Sequence, residues 1–585
     1  MKKEKAQPAF SLLYPPEIAR QPAFQHWGKN TPADLGLETL SAALSYEHKY
    51  EGAVRAILLE LCSDPAVILY RQEVLADFLE NPGFATQCAA VLPYLDRLQA
   101  HAEKQASGYE DSVRQTLDRL SELNTYLSCI RQLREALLDG QGRFHSRGLL
   151  GLEKLLARVE SDETFQSLSQ SLPELISRLS SVPSITIGIN LDNELRPVEA
   201  MLLSINEKPF KTGSLLDKLI GSRKDNPEAG IGPLHSVPYE QIENSGRIVP
   251  LSTRVDPLFV PLFRDLHQVL KSLINPINSV LRQYSRLHAG LLLPLQSEIA
   301  FYLGAAALIR RLQEHGLPVC RPQVLAMHER VSRLEGMYNL LLALRRMNES
   351  EGKKLGTPIV FNDADFGPQG RIFILTGPNQ GGKTVYTQAV GMAHLLFQAG
   401  LHVPAQQASL SPLDGIYTHF STEEEFNSRQ GRLGEEAQRL NEIFKSLTRH
   451  GLVLLNESLS STSPRESFYL SLDIVRALRL YEARAIFATH LHELADDLQT
   501  LNAEDSSDSL VVSLVAGVEL EAESPEPSEQ LVTRTYQIRP GPPRGLSYAR
   551  GIARQFGISF EQLAAQREAR GTAGASPESP LESGK

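Results

Sequence analysis

One octapeptide limits the fold of this 585-residue chain more than any other feature: Gly377-Pro378-Asn379-Gln380-Gly381-Gly382-Lys383-Thr384. It fits the phosphate-loop pattern G-x-x-x-x-G-K-[ST] and lies between an apolar run, Ile372-Phe373-Ile374-Leu375, and a helical pattern from Thr384 to Ala399. Such a loop works only between a buried strand and the first turn of a helix. Its glycines let backbone N–H groups curl around phosphate oxygens, and the helix N-terminus adds partial positive charge. Lys383 then meets the β and γ phosphates and the Thr384 hydroxyl faces Mg²⁺. Two further apolar runs, Leu452-Val453-Leu454-Leu455 and Ala485-Ile486-Phe487-Ala488, alternate with helical segments, which predicts a parallel sheet from about residue 350. Val511 to Val515 and Leu531 to Ile538 read as a terminal strand pair, joined by a mobile acidic loop that holds Glu519, Glu521, Glu523, Glu526 and Glu529.

A phosphate loop needs a second strand whose tip offers polar groups to magnesium and to the attacking water. Leu452-Val453-Leu454-Leu455-Asn456-Glu457 has that form, with Glu457 as the candidate general base. Asn456 departs from it: an amide oxygen accepts a hydrogen bond from metal-bound water but brings no negative charge, so magnesium affinity is expected to fall. A third strand ends at Ala488-Thr489-His490, which puts His490 at the carboxyl edge of the sheet, where it can sense the γ phosphate. Lys383 and Asn456 are 73 positions apart, too far for one strand–helix–strand crossover, so further structure is expected between them. Together these features suggest an ABC-like ATPase head that takes ATP and Mg²⁺.

The chain before residue 350 has a different texture. Val113, Leu117, Leu120, Leu123, Leu127, Ile130, Leu133 and Leu137 recur by threes and fours, which predicts a long packed helix, in a bundle core by preference over an intermolecular coiled coil. From about 181 to 260 the pattern breaks with the β-branched alternation of Ser184-Ile185-Thr186-Ile187-Gly188-Ile189, read as a strand opening an inserted module. The basic residues there, Lys208, Lys211, Lys218, Arg223 and Lys224, are diluted by Glu207, Asp217 and Asp225, as on a solvated face. Helical spacing resumes through Leu262 to Leu281, with a break expected at Pro276, then through Ile299 to Leu312 and Val331 to Leu344. The divisions are therefore 1–180 helical, 181–260 inserted, 261–349 returning helices, 350–564 the α/β ATPase part and 565–585 a disordered tail.

Composition bounds the function. With 59 Lys plus Arg against 69 Asp plus Glu, the net charge of −10 disfavours a nonspecific nucleic-acid coat and requires any DNA contact to be local. Cys62, Cys88, Cys129 and Cys320 form no C-x-x-C pair, which argues against a disulfide framework or a zinc site. No signal peptide or membrane anchor is read at the N-terminus, so the expected location is the cytoplasm.

The phosphate loop, Gly-Pro-Asn-x-Gly-Gly-Lys from Gly377 to Lys383, resembles that of the MutS family of DNA mismatch-repair ATPases. The likeness extends to Asn362, to Gly400-Leu401-His402-Val403-Pro404-Ala405, to Ser461-Thr462-Ser463, to Ala488-Thr489-His490 and to Gly545-Leu546-Ser547-Tyr548-Ala549. It covers about 350 to 560 and reaches faintly to Asp64-Pro65-Ala66-Val67-Ile68 and Arg71-Gln72. The resemblance implies that the helical blocks are core and lever domains, that the insertion occupies the clamp position, that Asn362 lies beside the adenine, and that the chain works as a DNA-binding homodimer. The chain departs from the family pattern in four places. No Phe-x-Glu wedge lies near the N-terminus, as in a member without the mismatch-recognition domain. Asn456-Glu457 replaces Asp-Glu, which predicts slow hydrolysis. Gly431-Arg432-Leu433-Gly434, followed by Glu435 and Glu436, stands where a stretch that reaches the partner's nucleotide is expected, and no nuclease-like module follows 560. The competing expectation is a nucleotide-gated scaffold for protein or ribosomal partners that makes no DNA contact.

Overall fold

The computed structural model of the protein describes residues 10–18, 26–106, 112–140, 142–180, 184–195, 197–206, 208, 211–213, 229–231, 277, 280, 281, 284, 291–349, 358–421, 431–496, 498–504, 506–520, 532–543 and 557–573. Pro276, the basic residues Lys218, Arg223 and Lys224, most of the acidic loop and Gly545 to Ala549 lie outside these. The chain forms two compact units, one of residues 1–89, 139–152 and 294–585, the other of 90–138 and 153–293. Residues 1–89, 139–152 and 294–349 thus group with the α/β part.

In the first unit a seven-stranded sheet contains β1 (His26–Trp27), β2 (Ile372–Thr376), β3 (Gly415–Phe420), β4 (Leu452–Asn456), β5 (Arg484–Ala488), β6 (Val511–Leu520) and β7 (Val532–Pro540). The strand order is β1-β3-β4-β5-β2-β6-β7, with β7 antiparallel to β6 and every other pairing parallel. The terminal pair is longer than the sequence suggested and bulges between Ala516 and Val518. Strands β2, β4 and β5 are buried at every position, the mark of a sheet covered on both faces. Helix α1 (Lys383–Gln398) follows β2 and is buried along most of its length. Val453, Leu455, Ala485 and Phe487 point to the opposite face, where they pack with Leu440 and Ile443 of α2 (Arg432–Ser446) and Val475 and Leu478 of α3 (Pro464–Leu480). Period-two alternation thus divides each strand between two helical layers, and each buried Leu, Ile or Phe contributes roughly 1.5–3 kcal/mol. The long interval between Lys383 and Asn456 holds strand Gln407–Leu410, β3 and α2.

A second, four-stranded sheet runs in the order Gln323–Val324, Gln407–Leu410, Ser332–Met337, Asn362–Phe366. It corrects the helical reading of Val331 to Leu344: residues 332–337 form a strand with alternating burial, and a helix starts only at Leu340. Pairing on both sides of Ser332–Met337 overrides a short apolar spacing that fits either period. The expected helix Ile299 to Leu312 is present as Leu293–Glu314. It joins this unit through Glu298, whose carboxylate accepts from Ser11 Oγ and Leu12 N, both at 2.6 Å, and through Tyr302, whose hydroxyl donates to Leu12 O. Asp64 caps helix Pro65–Glu80 by accepting from Ala66 N at 2.8 Å, with Pro65 in the first turn. On that helix the fully buried Arg71 donates to Leu13 O and to Glu60.

In the second unit, helix Ser112–Asp139 carries the predicted stripe, with Leu120, Leu123, Leu127, Ile130, Leu133 and Leu137 buried. Among the described side chains of the stripe Leu117 is the exception: it is 42% exposed, one step off the stripe, and Val113 lies outside them. Tyr126 meets Phe165 edge-on, and Arg134 pairs with Glu153 and Glu160, so the stripe packs within a bundle of this chain. The insertion contributes an antiparallel hairpin, Ser184–Leu191 with Pro197–Asn206, and a short parallel pair, Lys211–Gly213 with Ala229–Ile231.

Helix Phe560–Ala573 continues past 565, where the sequence suggested a disordered tail, and residues 574–585 lie outside the described ones. Among the described residues no helix is long and apolar enough to cross a membrane, and no cluster of His, Cys, Asp and Glu could hold a metal ion. All four cysteines are free.

Candidate nucleotide-binding site

The polar residues picked out in the sequence meet at the carboxyl ends of β2, β4 and β5. The loop after β2 turns at Gly377, whose φ of 145° and neighbour make glycine necessary: a Cβ there would stand 2.6 Å from Ala516 Cβ on β6. The loop runs straight into α1, so Lys383 and Thr384 open the helix and its first N–H groups face the loop. Lys383 is only 4% exposed. Its Nζ donates to the carbonyls of Gly377 at 3.0 Å and Pro378 at 3.1 Å. Burial pushes its pKa down to about 8, against the opposing pull of Glu457. A buried ammonium held by two loop carbonyls at the start of a helix is what an incoming phosphate would engage.

Thr384 Oγ1 donates to Asn456 Oδ1 at 3.1 Å, so the two residues read as metal-facing touch each other. Asn456 is buried at the end of β4, and the next residue, Glu457, takes a left-handed φ of 54°. That conformation is uncommon for a residue with a side chain, and the Glu457 N–H is held by Ala488 O of β5 at 2.8 Å. The turn swings the carboxylate toward His490, whose Nε2 donates to Glu457 Oε1 at 3.0 Å. Lys383 Nζ lies 3.4 Å from the same ring nitrogen. His490 thus stands between Glu457 and Lys383, so that side chains following three strands converge.

Beside the loop opens a cleft of about 750 Å³, lined by Tyr338, Asn362, Gln380, Lys383, Thr384 and Tyr536, among others. Asn362, expected beside the adenine, lines it, and its side chain is fixed by donating to Tyr536 O at 3.1 Å and accepting from Ile538 N at 2.6 Å. Gly381 and Gly382 complete the loop turn, and Gln380, at φ 60°, accepts from Arg534 of β7 at 2.9 Å. Pro378 and Asn379 complete the loop before them. Ser463 caps α3, accepting from Glu466 N, so the Ser461-Thr462-Ser463 stretch ends in a helix N-cap. Sequence reading missed Tyr536 and Arg534. Tyr536 reaches the cleft, and Arg534 reaches Gln380 on its wall, only because β7 folds back along β6, and a strand's hydrophobic pattern carries no signal for that.

A parallel α/β sheet with a glycine loop, an acid and a histidine at its carboxyl edge defines the C-terminal part as an ATPase-type domain. Comparison with known families supplies the rest: MutS domain V matches residues 373–557, and the MutS2 N-terminal domain matches residues 63–315. The chain thus carries two MutS-family domains. It is 31% identical over 178 residues to the DNA mismatch repair protein MutS of Chlorobium limicola, covering 30% of this chain and 19% of that protein. It is 32% identical over 193 residues to the endonuclease MutS2 of Thermus thermophilus, covering 33% and 24%. Against the DNA mismatch repair protein Msh6 of Gallus gallus it is 29% identical over 181 residues, covering 31% and 13%. The matched stretches span a quarter or less of each relative's length.

Proposed function

We propose that this chain is a MutS-type, ATP-dependent DNA-binding protein in which ATP binding and slow hydrolysis gate a DNA clamp, in mismatch repair or a recombination-related process. The family's domains and the names of its relatives, two mismatch repair proteins and an endonuclease, support the coarse reading. The observation that carries the finer one is the convergence of Lys383, Glu457 and His490 beside the Thr384–Asn456 contact. In this reading residues 350–564 are an ABC-type P-loop ATPase head, 1–180 and 261–349 core and lever, and 181–260 a clamp. Two copies of the chain close on ATP in the cytoplasm.

The residues assign themselves roles by position. Lys383 and the amides from Gly377 to Thr384 hold the phosphates, and Asn362 with Tyr536 borders the base. Thr384 and Asn456 would hold magnesium, which when bound neutralises charge on the β and γ phosphates. Glu457 takes a proton from the water that attacks the γ phosphorus; the bond to the β-phosphate oxygen breaks, and ADP and phosphate leave. His490 orients the Glu457 carboxylate and reads the γ phosphate. Because Asn456 is neutral, ATP acts more as a switch than as a fuel.

The test is ATP hydrolysis with and without branched and duplex DNA, together with DNA binding at several salt concentrations. Phosphate-backbone binding must weaken steeply with salt. ATP-dependent, salt-sensitive binding is expected; a flat salt response with no DNA effect on hydrolysis overturns the DNA part of the reading.

A further inference from the structure

Strand β6 does not stop where its neighbour β2 stops. Val515 pairs with Thr376, the last residue of β2, and β6 runs on to Leu520 with β7 alongside it. Arg534 of β7 stands opposite Val518, three residues past that end, which at about 3.3 Å per residue is roughly 10 Å beyond the carboxyl edge of β2. The overhang lies beside the phosphate loop. A Cβ on Gly381 would stand 3.3 Å from Ala516 Cβ, and one on Gly382 would stand 3.6 Å from the Tyr536 ring. The loop is therefore walled by β6 and β7 on the side of β2 away from β4 and β5.

Arg534 is half-buried on that wall, and its Nη1 donates to Gln380 Oε1 at 2.9 Å. Gln380 has a φ of 60°, and Tyr536, two residues after Arg534, a φ of 56°. Two left-handed residues with side chains thus flank one contact, and such outliers persist only where their surroundings hold them. Asn362 holds β7 here: its side chain donates to the Tyr536 carbonyl and accepts from the Ile538 N–H. The guanidinium is thus set over the loop by a clamped strand, and among the described residues its partner is a neutral amide and no carboxylate. A phosphate offers charged oxygens in pairs, which suit the planar fork of an arginine better than one amide oxygen does. We propose that Arg534 is a phosphate ligand of the bound nucleotide, and that binding moves its donors from Gln380 to the phosphates. This rests on the nucleotide reading above and deepens it. Lys383 meets the phosphates from the β5 side and Arg534 from the β6–β7 side. With a neutral Asn456 at the metal end, the fixed guanidinium takes over part of the charge neutralisation.

The test is titration of the full chain with fluorescent ATP, using tripolyphosphate, which has no base or sugar, as competitor. Arg534→Gln should weaken ATP and tripolyphosphate alike, by roughly tenfold, the weight of one charge-assisted hydrogen bond. Arg534→Lys should recover only part of that loss, since an ammonium cannot make the paired contact. Gln380→Ala keeps a Cβ at the same φ but releases the guanidinium, so ATP should bind about two- to threefold tighter. A mere brace between loop and strand would instead make both substitutions weaken ATP, so opposite signs mark the exchange. In the unsubstituted protein, ATP should also shift the Arg534 Nε signal in ¹⁵N spectra, a readout that needs no variant to fold. Unchanged ATP affinity in Arg534→Gln, a loss for ATP without one for tripolyphosphate, weakening by Gln380→Ala, or an unmoved Nε signal overturns the proposal. Each of these leaves the nucleotide reading standing, whereas an unsubstituted protein that binds neither ATP nor tripolyphosphate overturns both.

Discussion

Two strand tips of the same sheet, those of β2 and β4, have been built to different standards. The loop after β2 keeps every group that phosphate binding asks for: a left-handed glycine packed against Ala516, a buried lysine and a helix that starts at Lys383. The tip of β4 offers Glu457, the proposed base, beside an amide, Asn456, where the proposed metal site would gain from a second carboxylate. On the proposed roles, holding a nucleotide and turning it over are separable, and they fall on strands that share the neighbour β5.

The sharpest test of that separation is Glu457→Gln. The expected result is a fall in turnover of roughly 10²- to 10⁴-fold, the usual weight of a general base, with ATP affinity unchanged within a small factor. Single-turnover hydrolysis and equilibrium binding measure the two quantities. Loss of both in step would assign Glu457 to ligand holding and erase the contrast between the tips.

Lys383→Ala is the converse. Removing one member of a buried charge-assisted contact typically costs about 2–5 kcal/mol, so ATP affinity should drop by roughly 10²- to 10³-fold. Fluorescent-nucleotide titration checks it, and unchanged affinity would show that the lysine's bonds to Gly377 and Pro378 are its final state and not a resting one.

Both tips could be read in advance. The P-loop, Asn456, Glu457 and His490 were legible because each ends an apolar run bounded by polar or glycine residues, and the structure brings these side chains together. The sheet's inner strands were legible for the same reason. Ser332–Met337 was not, since six residues of mixed pattern fit a helix as well as a strand until partners on both sides decide. Nor was β1, two residues long, which is a strand only because β3 lies beside it. His419 and Ser458 stand 39 positions apart, and their contact depends on the register of β3 against β4, which no local pattern encodes.

If the neutral amide is what slows the β4 tip, Asn456→Asp should restore it. The Thr384 hydroxyl can donate to a carboxylate as well as to the amide, so the change is expected to be sterically mild. Magnesium affinity in the presence of ATP should rise by roughly 10- to 100-fold, the range over which groups around a metal site act, and turnover should rise with it. Magnesium titration of the hydrolysis rate reads both, and a flat response would mean that something other than charge limits the site.

The smallest effect concerns protons at the β2 tip. Burial lowers the folded-state pKa of Lys383 from 10.5 to about 8, so between these values the folded protein binds fewer protons than the unfolded chain. Stability of the nucleotide-free protein should therefore rise with pH across that window, the opposite sign to a lysine that gains a carboxylate partner on folding. ATP binding should run the other way. Only the ammonium attracts phosphate, so apparent affinity stays level below about pH 8 and falls above it, by up to about tenfold per pH unit. Lys383→Arg, whose guanidinium stays charged throughout, should bind more weakly for want of fit but lose the break near pH 8. A break that survives in the arginine variant would move the titrating group away from the phosphate loop and toward the β4–β5 side of the site.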